Sequence, residues 1–330
     1  MRHDSGTPCV LALDGGGSKT LVLLVGRDAA VLAVRQAGGS NPFDRPDWRA
    51  VVAGLLAGLP DGIEAAVFGM AGYGESPAIS AQQEAALSDW GRCPHAVRND
   101  VDIASTGAFG GGSGILLLAG TGSMVWAADP AGRGLRVGGW GHLFGDEGSA
   151  FWIGREALGT LTRALDGREP DALSFVAPFC RFMGLPDDPA ATAPALLDWY
   201  GGLSHPRSDV AALARGVDAL AAAGNAPARR IIELAAAHLT RHVGAARRIL
   251  AQPALPWSHA GGLFQGDYLR RTVTALCGAP VPPVLPPIGG AALLAARQAG
   301  WNPDSCWIAR LAANLAGAEH PAGPLIGIPT

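Results

Sequence analysis

The sequence predicts an α/β fold made of two similar halves, each a βββαβα-type mixed sheet with flanking helices, that face one another across a cleft. Val10–Gly26 reads as a strand, a glycine-rich turn and a second strand. The same pattern recurs over residues 115–128, after the glycine linker Gly110–Gly114. A repeated hairpin indicates a duplicated architecture. Two such turns could hold one polyphosphate from both sides.

The first turn has the composition of a phosphate-binding loop. Glycine lets successive backbone amides converge on an anion, and hydroxyl and ammonium groups add donors. Serine precedes the lysine and a strand-like run follows it, which fits neither a Walker A loop nor a dinucleotide fingerprint. An ordinary glycine-rich hairpin and a phosphate-binding tip both remain compatible with this turn, although the chain's sole lysine lies here. The turn follows Asp14 and consists of Gly15, Gly16, Gly17, Ser18, Lys19 and Thr20.

The first half continues with alternating strands and helices. Val31–Arg35 predicts the third strand of a meander, and apolar residues at helical spacing predict a helix over Trp48–Leu59. The strand at 95–98 delivers Asp100 to a sheet edge, where it is either a catalytic carboxylate or a helix N-cap, with Asp102 the better cap. The other elements are a strand at Glu64–Met70, a helix at Ala78–Trp90, the strand His95–Arg98 and a helix from about Asp102 to Phe109.

The second half repeats the meander and adds a long helical insertion. Strands are predicted at Ile115–Leu118, Met124–Ala128 and Leu135–Val137, and again at Ser258–Ala260 before the turn Gly261-Gly262. Helices are predicted at Ala150–Leu165, Asp171–Met183, Ala193–Tyr200, Ser208–Ala223, Ala226–Leu250, Phe264–Leu276, Gly290–Gly300 and Ser305–Ala316, with coil from Gly317. The predicted domains are an N-terminal lobe at 1–110, a C-terminal lobe at 111–287 and helices at 288–330 that pack back on the N-terminal lobe.

Composition and charge exclude several function classes. The net charge of −3 and the lack of a basic stripe argue against nucleic-acid binding. No apolar run reaches the ~18 residues of a transmembrane helix, and the N-terminus lacks the apolar core of a signal peptide. Five scattered cysteines without a C-x-x-C pair indicate neither a disulfide framework nor a zinc site. We therefore expect a cytoplasmic protein; a homodimer is compatible with the sequence, which does not decide the oligomeric state.

The two glycine turns, the strand end Asn99-Asp100 and the string GGWGHLFGDEGSAFWIG (Gly138–Gly154) resemble the N-acetylglucosamine kinase / BadF-BadG-BcrA-BcrD ATPase family of the actin–hexokinase–Hsp70 superfamily. The resemblance implies two RNase H-like (actin-like ATPase) domains around a nucleotide and sugar cleft. It also implies ATP and Mg²⁺ as cofactors, and transfer of phosphate to the 6-hydroxyl of N-acetylglucosamine.

Three other functions are compatible with the same resemblance. A glucosamine kinase of the same fold is the nearest alternative. A BadF-type ATPase activator of a dehydratase or reductase is less favoured, because such activators hold an iron–sulfur cluster with two cysteines per subunit, and no cysteine lies between Cys93 and Cys180. A binding or sensor protein that has lost catalysis ranks last, because Asp14, Asp100 and both glycine turns are intact.

The resemblance also assigns a role to each matching residue. Asp100 matches the catalytic base, and Asp14 matches the residue that holds Mg²⁺ through water. The ATP-binding positions are the first turn together with Gly120, Thr121, Gly122, Ser123, Gly261 and Gly262. The sugar-binding positions are Asn41, Asp100, Trp140, Gly141 and Asp146. Trp140 could instead fill the core, Asp146 could cap the following helix, and Glu147 stays open between a sugar contact and a cap.

Overall fold

The computed structural model describes residues 7–88 and 90–318. They form two compact units. Unit 1 contains the described residues up to Ser113 and those from Pro282 onward, and unit 2 is Gly114–Val281. Within the described residues, no helix is both long enough and apolar enough to cross a membrane.

Unit 1 is built on a five-stranded mixed sheet of order β3-β2-β1-β4-β5. β1 pairs antiparallel with β2, as the predicted hairpin requires, and parallel with β4, which pairs parallel with β5. The strands are β1 (Cys9–Gly15), β2 (Lys19–Gly26), β3 (Val31–Gly38), β4 (Ile63–Met70) and β5 (His95–Asn99). The helices, numbered along the whole chain, are α1 (Trp48–Leu56), α2 (Pro77–Ser88), α3 (Asp100–Ala108), α11 (Pro287–Gln298) and α12 (Ser305–Ala318).

The alternation of side chains along β1 places a core on each face of this sheet. Leu11 and Leu13 pack with α1 on one face, and Val10 and Ala12 pack with α11 and α12 on the other. A strand that is buried on both faces reads as a continuous apolar run. The central position of β1 fixes where its last residues emerge from the sheet.

The contact between α3 and α11 admits only glycine. A Cβ on Gly290 of α11 would lie 2.0 Å from the carbonyl oxygen of Ile103 and 2.5 Å from the amide nitrogen of Gly107, both on α3. A Cβ on Gly107 would lie 2.7 Å from the carbonyl oxygen of Pro286. Because Asp100 is the first residue of α3, this contact helps to hold the helix that carries it.

Unit 2 is built on a four-stranded mixed sheet of order β8-β7-β6-β9, with β6 antiparallel to β7 and parallel to β9. Its strands are β6 (Gly114–Ala119), β7 (Ser123–Ala128), β8 (Gly134–Gly138) and β9 (Trp257–Ala260). Its helices are α4 (Ala150–Leu165), α5 (Leu173–Met183), α6 (Pro189–Gly201), α7 (Pro206–Ala212), α8 (Ala214–Ala222), α9 (Ala226–Ile249) and α10 (Asp267–Cys277). The first three strands of each unit therefore form a meander, as the repeat predicts. The first strand of each meander also pairs in parallel with a later strand, β4 in unit 1 and β9 in unit 2.

The helical insertion departs from the prediction in two places. The single helix predicted over 208–223 is two helices, because the amide of Leu213 bonds to the carbonyl of Val210, three residues back, and the ladder is interrupted. α6 begins at Pro189, ahead of the predicted start, and Asp188 is its N-cap.

The ends of two other helices also differ from the prediction. α1 ends at Leu56 rather than Leu59, because Ala57 is extended and Gly58 is left-handed. α12 continues through Gly317, where coil was predicted. The rest of that predicted coil lies outside the described residues.

Replacing Gly290 by alanine tests the contact between α3 and α11. We predict that Gly290→Ala lowers the free energy of unfolding by about 1–3 kcal/mol, because the methyl group overpacks this contact. Gly54 is exposed within α1 and has no heavy atom near its Cβ position. As the control, Gly54→Ala should raise that free energy by about 0.5–1 kcal/mol through helix propensity. Urea unfolding followed by circular dichroism measures both, and stabilisation by Gly290→Ala would contradict the described contact.

Candidate active site

The carboxyl ends of three parallel strands meet at one edge of the unit 1 sheet. Asp14 of β1 lies beside Gly69 of β4, and Met70 of β4 lies beside Asn99 of β5. Asp100 follows directly after β5. The two carboxylates that the sequence singles out therefore emerge at the same edge, on strands whose backbones are about 10 Å apart. Ligand sites of open parallel sheets lie at this edge.

α3 begins at Asp100, and Asn99 is its N-cap. The Asn99 side chain accepts a hydrogen bond from the amide of Val101 at 2.9 Å and donates one to the carbonyl oxygen of Tyr73 at 2.6 Å. The prediction that Asp102 is the cap is wrong, because β5 runs directly into the helix and Asp102 lies inside the first turn. Asp100 Oδ1 also accepts a hydrogen bond from the amide of Val101, at 3.0 Å. Because Asn99 caps the helix, the helix does not depend on Asp100 for its cap.

Burial raises the pKa of both carboxylates. The pKa of Asp14 is raised to about 6 by burial, which the positive charge of Lys19 partly opposes. The pKa of Asp100 is also raised to about 6, chiefly by burial and then by the negative charges of Asp14 and Glu75. Within residues 7–88 and 90–318, neither carboxylate forms a salt bridge. Both are mostly ionised at pH 7, and Asp100 can accept a proton in the physiological range.

These two carboxylates fit a nearby divalent cation. Two half-buried negative charges at one sheet edge lack a compensating ion pair, and a metal ion would favour their ionised forms. No group of three or more His, Cys, Asp or Glu side chains among the described residues could hold a metal unaided. Of the two carboxylates, Asp14 lies next to the glycine turn.

The first glycine turn is supported from behind by the loop after β3. The amide of Gly16 donates to the carbonyl oxygen of Lys19 at 3.1 Å, and this hydrogen bond closes the turn. The amide of Ser40, in the loop after β3, donates to the carbonyl oxygen of Gly16 at 2.9 Å. A Cβ on Gly39 would lie 1.9 Å from the carbonyl oxygen of Gly17. Only glycine therefore fits where this loop meets the turn.

One of the predicted donors in this turn is already used within the protein. Thr20 is completely buried, and its hydroxyl donates to the carbonyl oxygen of Gly38 at 2.8 Å. That hydrogen bond fixes the start of β2 against the end of β3. The exposed side chains of Ser18 and Lys19 are left for an anion.

Asn41 follows the supporting loop, and its side chain is engaged locally. Its Nδ2 donates to Asp44 Oδ2 at 2.7 Å, and its Oδ1 accepts from the amide of Phe43 at 3.1 Å. Beside it, Ser40 Oγ is fully buried and has no hydrogen-bond partner among the described residues. Sequence reasoning missed Ser40, because a serine after two glycines looks like an ordinary turn residue.

The second glycine turn lies in unit 2, between β6 and β7. The amide of Gly120 donates to the carbonyl oxygen of Gly122 at 2.9 Å. The carbonyl of Gly120 accepts from the amide of Ala150, the first residue of α4, at 2.8 Å. Ser123 is buried, and its hydroxyl donates to the carbonyl oxygen of Glu147 at 2.9 Å. This predicted donor is also used within the protein, as Thr20 is in unit 1.

The end of β9 adjoins the base of this second turn. Gly261 follows β9 with a φ of +103°, and a Cβ there would lie 2.3 Å from the carbonyl oxygen of Ala119. Gly262 begins a short 3₁₀ helix, and Thr121 is exposed at the tip of the turn. The structure thus brings the second glycine turn and the predicted ATP-binding residues Gly261 and Gly262 together at the carboxyl ends of β6 and β9.

The segment between β8 and α4 carries the predicted sugar contacts of unit 2. Trp140 is 70% exposed, so the alternative that it fills the core is wrong. The guanidinium of Arg136 lies over its ring, 5.7 Å from the centroid. Gly141, with a φ of +91°, follows it, and the side chains of Leu143 and Phe144 are also exposed.

Asp146 is buried against the second glycine turn. Its Oδ2 lies 3.2 Å from Arg207 Nη2 and 2.8 Å from the point that a Cβ on Gly122 would occupy. The N-cap of α4 is Ser149, whose side chain accepts an amide hydrogen bond from the first turn of the helix. Neither Asp146 nor Glu147 is that cap. Sequence reasoning missed Arg207, which belongs to no local motif.

The model of the BadF/BadG/BcrA/BcrD ATPase family matches residues 11–295 of the chain. The chain therefore belongs to this family.

A curated relative and several solved structures are similar to the chain. The N-acetylmuramic acid/N-acetylglucosamine kinase of Clostridium acetobutylicum is 29% identical over 259 residues, 73% of this chain and 80% of that protein. A Chromobacterium violaceum protein provisionally assigned as an N-acetylglucosamine kinase is 27% identical, with a TM-score of 0.63 over 87% of this chain and 98% of the other. The ROK hexokinase of Thermus thermophilus, 15% identical, has a TM-score of 0.52 over 88% of this chain and 99% of its own. These likenesses confirm the predicted fold class.

Neutralising Asp100 tests whether its charge is buried. A carboxyl whose pKa is raised on folding binds its proton more tightly in the folded state, so stability falls as pH rises from about 4 to about 6. We predict that Asp100→Asn, without Mg²⁺ or nucleotide, raises the melting temperature at pH 7.5 by about 2–6 °C. The gain should shrink at pH 4.5, where the wild-type carboxyl is protonated. Differential scanning calorimetry at both pH values measures it.

The control for this experiment is Asp171→Asn, because Asp171 is exposed. It should show no comparable gain at either pH. A lower melting temperature for Asp100→Asn at pH 7.5 would show that the fold stabilises the ionised carboxylate, contrary to the described burial.

Proposed function

We propose that this member of the BadF/BadG/BcrA/BcrD ATPase family is an ATP-dependent sugar kinase, and that it phosphorylates the 6-hydroxyl of N-acetylglucosamine. The observation that carries the proposal is Asp100, a carboxylate with a pKa of about 6 at the same sheet edge as a glycine-rich turn. The substrates named for the Clostridium relative and the assignment of the Chromobacterium protein agree with it.

In the proposed reaction, Asp100 is the general base. The sugar hydroxyl oxygen forms a bond to the γ-phosphorus of ATP, the bond from that phosphorus to ADP breaks, and Asp100 takes the hydroxyl proton. A pKa near 6 leaves Asp100 ionised at pH 7 yet makes it a stronger base than an ordinary aspartate. The remaining catalysis of phosphoryl transfer is positioning and neutralisation of charge.

ATP is proposed to bind at both glycine turns. In unit 1 its phosphates are proposed to lie against Gly15, Gly16 and Gly17 and to contact the exposed side chains of Ser18 and Lys19. Bound Mg²⁺ would neutralise charge on the phosphates and on the leaving ADP, and Asp14 would hold it through water.

Unit 2 is proposed to supply the rest of the nucleotide site. Gly120, Gly122 and the exposed Thr121 face phosphate, and Gly261 with Gly262 face the adenosine. The buried hydroxyls of Thr20 and Ser123 keep the two turns in shape by their hydrogen bonds to backbone carbonyls.

The sugar is proposed to contact Asn41, Trp140, Gly141 and Asp146. The exposed ring of Trp140 offers a flat apolar face to a pyranose. Asn41 can exchange its side-chain contact with Asp44 for one with a sugar hydroxyl. Glucosamine is the alternative substrate. A cytoplasmic location, where ATP is available, is part of the same proposal.

A substrate panel tests the proposed function. Purified protein with MgATP is offered N-acetylglucosamine, glucosamine, N-acetylmannosamine, N-acetylmuramic acid and glucose, and ADP release is measured. We predict the highest kcat/KM with N-acetylglucosamine, and NMR of the product should place the phosphate on O6. A higher value for glucosamine would favour the alternative, and ADP release that no sugar accelerates would refute the kinase.

Asp100→Asn tests the base. We predict an unchanged Kd for MgATP and a loss of about 10²- to 10⁴-fold in kcat, because only proton removal is lost. Asp102→Asn removes the same charge within the same helical turn and should retain its turnover. Near-normal kcat in Asp100→Asn would take Asp100 out of this role.

A further inference from the structure

The two glycine turns differ in length. In unit 1, β1 and β2 pair Gly15 with Thr20, and in unit 2, β6 and β7 pair Ala119 with Ser123. The loop between the paired residues is residues 16–19 in the first turn and only 120–122 in the second. Each loop is closed by a hydrogen bond from the amide of its first residue to the carbonyl of its last.

This register makes Gly122 the counterpart of Lys19. Both supply the carbonyl that closes the turn, and both directly precede the residue that pairs with the end of the preceding strand. The first turn therefore carries a cationic side chain at this position, whereas the second turn has no side chain there at all.

Arg207, which belongs to the helical insertion, places its guanidinium close to where a side chain on Gly122 would lie. It lies at the start of α7, and its Nη2 is 3.1 Å from the point that a Cβ on Gly122 would occupy. The same nitrogen donates to Asp146 Oδ2 at 3.2 Å. The Asp146 side chain is 5% exposed and that of Arg207 is 46% exposed, so the guanidinium still presents donors to solvent beside the turn.

We propose that Arg207 binds a phosphate of the nucleotide at the second glycine turn, in the role that Lys19 has at the first, and that Asp146 positions it. A guanidinium can contact phosphate through two parallel N–H groups, and Asp146 fixes its orientation. A side chain on Gly122 would enter the space that the Arg207–Asp146 pair fills. The proposal rests on the proposed function for the identity of the nucleotide as ATP.

The competing explanation is that Arg207 only neutralises a buried carboxylate. Removing one partner of such a pair leaves an uncompensated charge and destabilises the fold. The double variant Asp146→Asn/Arg207→Gln removes both charges together, so it separates the loss of a phosphate contact from the loss of an ion pair.

Calorimetric titration with MgATP tests the proposal. We predict that Arg207→Gln raises the Kd for MgATP about 10- to 100-fold, the loss expected for a hydrogen bond to a charged group, and that Arg207→Lys raises it less. Asp146→Asn keeps the guanidinium but loses the carboxylate that orients it, so it should raise the Kd less than Arg207→Gln does, while the double variant should bind as weakly as Arg207→Gln. The control Arg215→Gln removes an exposed arginine of α8 and should keep the wild-type Kd.

Melting temperatures of the same variants complete the test. Arg207→Gln alone should melt lower than the wild type, and the double variant should recover most of the difference. A wild-type Kd for MgATP in either Arg207→Gln or the double variant would overturn the proposal. The proposed kinase activity has a separate test. Wild-type protein that binds MgATP and phosphorylates no sugar would refute the kinase activity. The effect of Arg207→Gln on the Kd for MgATP would then still test the role of Arg207.

Discussion

Asp14 and Asp100 carry negative charge that the fold removes from water at the end of a parallel sheet. Holding each ionised at neutral pH costs on the order of 3 kcal/mol, from a pKa of about 6 against an ordinary value near 4. The packing of unit 1 keeps them there: β1 is buried on both faces, and Asn99 ties the start of α3 to the loop after β4. A site that keeps such charge away from water favours a cation, a proton or a substrate hydroxyl.

The two glycine turns are held in shape by side chains that act as internal braces. Thr20 and Ser123 hold corresponding positions, and each donates its hydroxyl to a backbone carbonyl of a neighbouring segment. In both turns the carbonyl of the first loop residue accepts an amide from a later segment, Ser40 in unit 1 and Ala150 in unit 2. Carbonyl groups that are bonded elsewhere leave amide groups to dominate the field that an anion meets.

Local chemistry made most of the fold predictable. Both hairpins follow from apolar runs around glycine turns, and α4 has the bounds predicted from the sequence, Ala150–Leu165. The break between α7 and α8 coincides with a contact between distant segments. Apolar periodicity continues across Leu213, but Gly154 of α4 admits the carbonyl of Val210, where a Cβ would approach to 2.0 Å, and the helix breaks beyond it.

The site residues likewise include some that local sequence motifs predict and others that depend on the folded structure. Asp14 and Asp100 are marked by motifs, whereas the choice of Asn99 over Asp102 as the cap depends on where β5 ends. The partner of Asp146 is Arg207, 61 residues away, and nothing near either residue in the sequence connects them.

The central claim is that Asp100 is a base because the sheet edge buries it beside a second carboxylate. Its carboxyl ¹³C resonance, assigned by comparison with Asp100→Asn and followed through a pH titration of the nucleotide-free protein, measures this directly. We expect a midpoint near 6 that falls when Asp14 is replaced by asparagine. A midpoint near 4, the value of an ordinary aspartate, that Asp14→Asn does not move would contradict it.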